Sequence, residues 1–226
     1  MLLINGLNLS LIKVGPLICL GKMRQAWLPR FVFVLCLVLT VDLSWSVELT
    51  TNMTEILREH KIIPDCVPIE PPQFLEVNYV HTVVEFGIQL DTLTVMYQPT
   101  DLKWKAEKDS YYTIVLTGLD VPTRENNSVS QYKHWIVGNV PGNAFFAGET
   151  IVEYVGTGLP YGKGMHRLVF LVYEQPDKKR IIFDEEIVRK ESNKELRMFF
   201  CAQKFFSKYN MQTAIAINFM RVEELL

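Results

Sequence analysis

The 226-residue chain has little excess charge of either sign, and this excludes several classes of function. It carries 23 lysines and arginines against 25 aspartates and glutamates, and no run of basic residues is longer than Lys178–Arg180. Nucleic-acid binding and a strong electrostatic hold on anionic membranes both need clustered positive charge. We therefore expect no nucleic acid among its partners, and any contact with lipid has to come from a specific pocket.

The sequence also lacks the short motifs that mark common enzyme sites. It contains no Gly-x-Ser-x-Gly nucleophile elbow, no P-loop and no dinucleotide-binding fingerprint. Two histidines and an aspartate, His134, His166 and Asp120, are candidates for acid–base work or metal binding, but their spacing is not that of metal ligands. We predict a protein that is not an enzyme and uses no metal and no cofactor.

No apolar run approaches the length of about 20 residues that a membrane-spanning helix needs. The longest, Phe31–Val41, is preceded by Arg24 and Arg30 and is followed by small residues up to Ser46. This order is typical of a signal peptide cleaved after Ser46, with a signal anchor as the alternative. We expect a secreted, extracellular protein without a stable membrane span.

Met23 lies directly before the charged part of this segment, so the start codon, Met1 or Met23, stays open and residues 1–22 are interpreted as an upstream extension. Without residues 1–46, 19 basic and 24 acidic residues remain, which makes the mature chain mildly acidic. We expect three parts along the chain: the signal peptide with its extension over 1–46, an N-terminal arm over 47–72, and one domain over 73–226.

Cysteine is scarce, and Cys66 and Cys201 alone follow the expected cleavage site. In an oxidising compartment they can form one bridge between the arm and the C-terminal helix, and two unpaired buried thiols are the alternative. Two sequons, at Asn52 and Asn126, would accept N-linked glycans in a secreted chain.

What the sequence has in abundance is short segments rich in Val, Ile, Tyr and Phe, bounded by Gly, Pro, Asn or Asp. Seven of them, without alternating helices, predict a mainly β domain with a largely antiparallel sheet. They are Phe74–Val80, Val83–Leu90, Leu102–Ala106, Tyr111–Thr117, Trp135–Val140, Ile151–Val155 and Leu168–Glu174.

Outside these segments the pattern changes. Residues 51–60 predict a short helix, the prolines of residues 63–73 predict an extended arm, and Met211–Val222 returns to strand character. A second helix is predicted within Glu185–Tyr209, because apolar and aromatic residues recur there at helical spacing. Phe199, Phe200, Phe206 and Tyr209 are aromatic, and Gln203 falls at the same spacing.

A glycine-rich loop provides the first indication of a binding site. Four glycines and Pro160 fall within residues 156–164, directly before His166, Arg167 and a buried strand. Such a loop can approach a ligand closely, and imidazole and guanidinium groups suit an anionic headgroup. The alternative is a glycine-rich hairpin whose His and Arg bind nearby carbonyl groups.

Three motifs in order strengthen this indication: GLDVPTR around Asp120 and Pro122, KHW around His134, and GMHR around His166. Together with the YVGTGLP loop and the VYEQ strand end, they resemble the phosphatidylethanolamine-binding protein family, also called Raf kinase inhibitor-like proteins. The resemblance spans Pro71–Glu223. It implies a mainly β fold, with a central antiparallel sheet flanked by a smaller sheet and a few peripheral helices, and a small anion pocket.

The resemblance implies a set of ligand-binding residues in that pocket. Because side chains alternate along a strand, His166 is assigned to the ligand and Arg167 to an ion pair with Asp120. Pro122 is expected to follow a cis peptide bond, as in the family. The full set is His134, His166, Asp120, Pro122, Gly164 and Arg167.

The chain departs from the family pattern at several pocket positions. Gly118 stands where the family motif has its first aspartate, Leu119 replaces the following proline, and Leu168 replaces a pocket tyrosine. The family's C-terminal helix, which carries another pocket tyrosine, is expected to be largely truncated. A larger and more positive pocket follows, so the ligand's identity cannot be carried over unchanged.

We predict a secreted, non-catalytic binding protein with a surface pocket lined by His134 and His166. Its ligand would be an anionic headgroup: a phospholipid headgroup, phosphate or a small carboxylate. Binding is expected to weaken at high pH, because an imidazole loses its charge around a pKa of about 6.5. The alternative is a protein–protein interaction or inhibitor module with a protein partner and a degenerate ligand pocket.

Overall fold

The computed structural model describes residues 53–157 and 164–224, and the structural statements below concern these residues. The expected signal peptide, its upstream extension and the sequon at Asn52 lie outside the described residues. So do Gly158, Pro160 and Gly162 of the glycine-rich loop. Within the described ranges, no helix has the length and hydrophobicity needed to cross a bilayer.

The described chain forms ten strands and three short helices, with three 3-10 turns between them. The helices are α1 over residues 53–59, α2 (Ile62–Asp65) and α3 (Ala202–Lys208). The 3-10 turns cover Phe145–Ala147, Pro176–Lys178 and Lys194–Arg197. The strands are β1 (Gln73–Phe74), β2 (Glu76–Tyr79), β3 (Thr82–Val83), β4 (Gln89–Asp91), β5 (Asp101–Lys103), β6 (Tyr111–Gly118), β7 (Tyr132–Pro141), β8 (Glu149–Val152), β9 (Gly164–Glu174) and β10 (Ala214–Glu224).

The strands form two sheets, which confirms the predicted fold class. The central sheet has the order β1-β10-β9-β6-β7-β8 with β4 also paired to β10, and the smaller sheet has the order β3-β2-β5. The long central strands are antiparallel, but β1 and β4 run parallel to β10. The central sheet is therefore mixed rather than antiparallel throughout. Strands of two or three residues carry too short a pattern for their direction to be predicted.

Both faces of the central sheet are buried, which explains why its strands read as continuous apolar runs. Along β9, Leu168 and Phe170 belong to the core shared with the smaller sheet. The alternate residues Val169 and Leu171 belong to the core on the other face, together with Leu57 of α1 and Phe206 of α3. The domain thus has three layers: the smaller sheet, the central sheet and the helices.

The N-terminal arm is less extended than its prolines predict. The helix predicted over 51–60 is present across residues 53–59. The next residues close the α2 turn, because the backbone N–H groups of Cys66 and Val67 both donate to the carbonyl of Ile62. Ile62 and Val67 are buried, so apolar anchoring of the arm overrides the extended preference of residues 63–73 at its first turn.

The helix predicted over Glu185–Tyr209 is wrong for most of its length. Only the Lys194–Arg197 turn and α3 are helical. Phe199 has a positive φ of 55° and is 73% exposed, so it does not belong to a core stripe. The next residue, Phe200, exchanges two backbone hydrogen bonds with Gln131, at 2.9 and 2.8 Å. This pairing with a distant segment replaces the local helical bonds.

The register between β7 and β6 shifts twice, once near Asn139 and once at His134. At each shift β7 contributes one more residue than β6, which is the arrangement of a β-bulge. Asn139 has a positive φ of 54°. A bulge redirects a side chain, and here the two bulges place a polar residue near each end of the same central strand.

Candidate functional site

The candidate site lies where β6 ends and β7 and β9 begin. Gly118, the last residue of β6, pairs with Tyr132 of β7 on one side and with Leu168 of β9 on the other. His134 and His166 are each two residues from these positions in the sequence. The fold therefore brings the three sequence motifs to one end of the central sheet. We call Gly118, His134 and His166 the histidine end.

His134 owes its position to the second bulge of β7. Leu116 pairs with Trp135 and the next residue, Thr117, pairs with Lys133, so His134 has no opposite residue on β6. Its imidazole turns toward β6, where a Cβ built on Gly118 would lie 2.8 Å from His134 Nε2. Gly118 is therefore the residue that gives this imidazole its space.

The His134 ring is held in one tautomer. Its Nδ1 lies 2.9 Å from the carbonyl oxygen of Val155, so Nδ1 carries the hydrogen and donates, and Nε2 is left as an acceptor. The residue is 6% exposed, and burial lowers its pKa to about 4, with a further contribution from the charge of Arg197. His134 is thus neutral at physiological pH. The expectation of a cationic His134 that loses its charge near pH 6.5 is wrong.

Arg197 is a component of the site that the sequence analysis missed. It is 1% exposed, and its Nη1 donates to the carbonyl oxygens of Lys133 at 3.0 Å and Glu153 at 2.9 Å. Its Nη2 donates to the carbonyl oxygen of Arg189 at 3.0 Å. The guanidinium thereby fixes the start of β7 behind His134. No motif marks this arginine, because its partners are backbone carbonyls that any sequence provides.

His166 presents an unsatisfied polar atom. The residue is 4% exposed, and its Nε2 is buried without a hydrogen-bond partner in the described chain. The Thr157 hydroxyl, just before the undescribed residues 158–163, is also buried without a partner there. An unpaired buried polar group costs about 1–3 kcal/mol, so such groups mark positions where a ligand can complete the bonding.

Gly164 begins β9 on the C-terminal side of the same gap. Its φ is +92°, a conformation that favours glycine, and a Cβ built on it would meet nothing within 4 Å. Within the part of the chain that the structure describes, the space beside the Gly164 Cα is therefore open.

Asp120 and Arg167 form the ion pair that strand alternation predicts. The Asp120 carboxylate accepts hydrogen bonds from Arg167 Nε at 2.9 Å and Nη2 at 2.6 Å, and from the Arg167 backbone N–H at 2.8 Å. Arg167 Nη1 donates to the carbonyls of His60 and Lys61 and to the Asp65 carboxylate. We call this arrangement the arginine clamp. It joins the arm to the sheet on the face opposite to His166.

The remaining predicted residues lie around the loop that follows β6. The Val121–Pro122 peptide bond is cis, as expected, and Pro122 is half-buried. Asn126 is exposed in that loop, and its side-chain oxygen accepts a bond from the backbone N–H of Ser128. An exposed asparagine of this kind is accessible to glycosylation.

The two cysteines are free thiols in this structure, which corresponds to the second of the two possibilities that the sequence leaves open. Cys66 is buried in the arm and Cys201 is half-buried before α3. Burial raises the pKa of the Cys66 thiol to about 12. Such a thiol is a poor nucleophile, so it adds no reactive group to the site.

An apolar loop borders the segment that holds His134. The Tyr154 hydroxyl donates to the carbonyl oxygen of Val95 at 2.7 Å, and a Cβ on Gly156 would collide with the same carbonyl group. The loop around Val95 is thus packed directly on residues 154–156. Three of its side chains, which we call the apolar rim, are largely exposed: Leu93, Met96 and Tyr97.

Comparison with known proteins agrees with this architecture. The family described as phosphatidylethanolamine-binding protein matches residues 82–209. A Drosophila melanogaster protein named "Putative odorant-binding protein A5" is 34% identical over 179 residues, which cover 79% of this chain and 83% of that protein.

Two solved structures are similar in fold. The phosphatidylethanolamine-binding protein from Plasmodium vivax matches with a TM-score of 0.62 and 20% identity, over 76% of this chain and 97% of its own. A carboxypeptidase Y inhibitor, solved with its cognate proteinase, matches with a TM-score of 0.63 and 21% identity, over 77% and 96%. At these identities the likeness concerns the fold alone.

Proposed function

Because the chain belongs to the phosphatidylethanolamine-binding protein family, we propose that it is a secreted, non-catalytic binding protein. In this proposal the histidine end holds the phosphate-bearing headgroup of a small ligand. The observation that carries the proposal is His166 Nε2, which is buried and has no hydrogen-bond partner in the described chain. A ligand oxygen at this position would remove the cost of the unsatisfied atom.

The tautomer of His134 restricts the kinds of hydrogen-bonding group that the ligand can present to it. Its Nε2 is an acceptor, so it needs a ligand group that donates, whereas His166 Nε2 can donate to an anionic oxygen in the matching tautomer. A phosphate monoester with a P–OH group, or a phosphodiester with a neighbouring ammonium, offers both a donor and an acceptor. A carboxylate offers acceptors alone. The geometry therefore favours a phosphate headgroup over a simple carboxylate.

The apolar rim suits the remainder of such a ligand. Leu93, Met96 and Tyr97 project from the loop packed on residues 154–156, which also supply the carbonyl partner of His134. One relative is named as odorant-binding, which is consistent with a ligand that has an apolar part. In our proposal the headgroup lies against the histidines and the hydrocarbon part contacts the apolar rim.

Calorimetric titration of O-phosphoethanolamine and glycerophosphoethanolamine into the purified protein tests the headgroup site. We expect His166→Ala to weaken binding of both by about tenfold or more, the value of a lost hydrogen bond to a charged group. His81→Ala, at an exposed histidine between β2 and β3, is the matched control and should bind as the wild type does. Equal binding by wild type and His166→Ala would contradict the proposal.

A protein-binding or inhibitor function is the second candidate, and the exposed apolar rim is the observation that favours it. Replacing Leu93, Met96 and Tyr97 together by serine separates the two. Weaker binding of a lysophospholipid, with phosphoethanolamine binding retained, supports contact between the rim and the hydrocarbon part of a ligand. Unchanged lysophospholipid binding would leave the rim as a surface for a protein partner.

A further inference from the structure

A cavity lies far from the histidine end. It is lined by Tyr173, near the last residue of β9, whereas His166 lies near the first. Seven residues of strand separate the two positions, or about 23 Å at the usual rise per residue. Their side chains also point to opposite faces of the sheet. The cavity, of about 190 Å³, is therefore independent of the proposed headgroup site.

The cavity has a buried apolar floor and an exposed rim. Tyr173 and Phe206 stack at its base, with ring planes inclined by 17°. Val67, Met211 and Ala214 complete the buried part. The residues at the opening are all exposed: Pro68, Ile69, Gln203, Ser207, Gln212 and Thr213. Flat aromatic surface and aliphatic walls favour a ring or a short hydrocarbon chain.

The residues that line the cavity also determine the charge of the ligands that it can accept. None of them is charged, and the one ionisable group among them is the phenol of Tyr173. Burial raises the pKa of Tyr173, so its hydroxyl keeps its proton and can donate a hydrogen bond. An anion or a cation would enter this cavity without a counter-charge, which is costly. The cavity therefore selects uncharged molecules, in contrast to the histidine end.

The arm that forms one wall is firmly placed. The arginine clamp holds Asp65, two residues before Val67, and the Gln203 side chain donates to the carbonyl of Cys66 at 3.5 Å. The cavity is thus bounded by an anchored arm, by α3 and by the sheet. A preformed cavity binds without the cost of ordering its own walls.

We propose that this cavity binds a small uncharged amphipathic molecule, of the size of a single-ring alcohol or ketone, whose oxygen meets the Tyr173 hydroxyl. An engineered apolar cavity of about 150 Å³ is known to hold benzene, so the volume here suits a ring with a short substituent. For a ligand this small, a Kd on the order of 1 mM or below is expected.

Fluorine NMR of 4-fluorobenzyl alcohol with the purified protein tests the proposal. We expect saturable line broadening, and at least tenfold weaker binding to Ser207→Trp, which blocks the opening from an exposed position on α3. Lys204→Trp, exposed on the same helix but outside the cavity lining, is the matched control and should bind normally. No saturable binding, or equal binding by both tryptophan variants, would overturn the proposal.

Two further measurements locate the site and the hydrogen bond. Tyr173→Phe should weaken binding of the alcohol about fivefold and leave 4-fluorotoluene unaffected, since one neutral hydrogen bond is lost. Saturating O-phosphoethanolamine and His166→Ala should each leave alcohol binding unchanged. Loss of alcohol binding in either would assign it to the histidine end and refute a second site, whatever the outcome of the headgroup titration.

Discussion

The two bulges of β7 lie on the same strand but leave their polar residues in opposite states. At Asn139 the side-chain amide donates to the Glu149 carboxylate and the Ile181 carbonyl, and its oxygen accepts from Gln175 and from the Ile181 backbone. Gln175 in turn accepts from Asn139 N and Thr113 Oγ1 and donates to the Lys179 carbonyl. We call this the closed network, because the hydrogen-bonding groups of both amides are occupied.

At the histidine end the bonding is incomplete. His134 uses Nδ1 and leaves Nε2 as an acceptor, and His166 Nε2 is buried without a partner in the described chain. The sequence alone does not distinguish the two ends of β7, since a polar residue lies near each end of this otherwise apolar strand. The closed network therefore has a structural role, whereas the unpaired Nε2 of His166 is the atom on which the proposed headgroup site rests.

The largest expected effect is on the free energy of unfolding, and it distinguishes the closed network from the histidine end. Asn139→Ala should lower the free energy of unfolding by about 3–4 kcal/mol, because it leaves several buried groups of Gln175 and Ile181 unpaired. His166→Phe, of similar shape, should change it by no more than about 1 kcal/mol while abolishing headgroup binding. Urea unfolding of both variants measures this. A loss of comparable size in His166→Phe would make the histidine end structural as well.

A second effect concerns pH. The pKa of His134 is about 4 in the folded protein, below the value of about 6.5 expected when unfolded. As pH falls below 6.5 the unfolded chain takes up a proton that the folded chain excludes, so stability declines until about pH 4 and then levels off. The contribution of this group is about 3 kcal/mol. Full stability is present above pH 6.5.

Unfolding free energies measured from about pH 7.5, above the unfolded value, down to about pH 4, the folded value, and compared with His134→Gln, isolate this contribution. The glutamine variant should have a flatter profile, whereas His81→Gln, at an exposed site, should follow the wild type. Parallel profiles for the wild type and His134→Gln would show that burial does not control this imidazole.

A smaller effect is expected at Gly118. A Cβ at this position would lie 2.8 Å from His134 Nε2, so Gly118→Ala has to displace the imidazole. We expect a loss of about 1–2 kcal/mol in stability and binding of O-phosphoethanolamine weakened about fivefold. Gly142→Ala is a control for stability, because its Cβ would meet nothing and the substitution adds backbone strain without a steric clash. Unchanged binding by Gly118→Ala would show that His134 does not contribute to binding of the headgroup.

The smallest effect is expected in the exposed loop between β6 and β7. If the chain is secreted as proposed, mass spectrometry should find Val47 at the N-terminus and a glycan on Asn126, which is exposed. Asn126→Gln should lose that glycan and keep the wild-type unfolding midpoint and ligand affinity. An unmodified Asn126 on protein recovered from the secretory route would contradict this assignment.

Much of the fold could be predicted because long strands leave a strong pattern. The runs around Val115 and Phe170 are apolar on both faces, and the ordered motifs placed Asp120 and Arg167 close enough for an ion pair. The parallel pairing of β1 and β4 could not, since two or three residues specify no direction. The break at Phe199 in the helix predicted within Glu185–Tyr209 could not be predicted either, because it depends on backbone pairing with a remote segment.

At the candidate site, the sequence predicted which residues lie at one end of the sheet but not the chemical state of their side chains. The motifs identified His134 and His166, yet the neutral state of His134 follows from burial and from Arg197, whose partners are carbonyl groups. The bulge that redirects His134 depends on register, which a single sequence does not reveal. The charge of the His134 side chain and the direction in which it points depend on packing, so only the structure shows them.

The bulge at His134 also determines which genetic changes this end of the sheet can tolerate. Substituting the histidine alters one ring, but deleting the codon would restore regular pairing and turn the preceding residues of the strand over. Tyr132, now packed edge-on against the His134 ring, and Lys133 would exchange the faces they occupy. Divergence at this position is therefore expected to proceed through replacement rather than through loss of a residue, even in descendants that no longer bind anything.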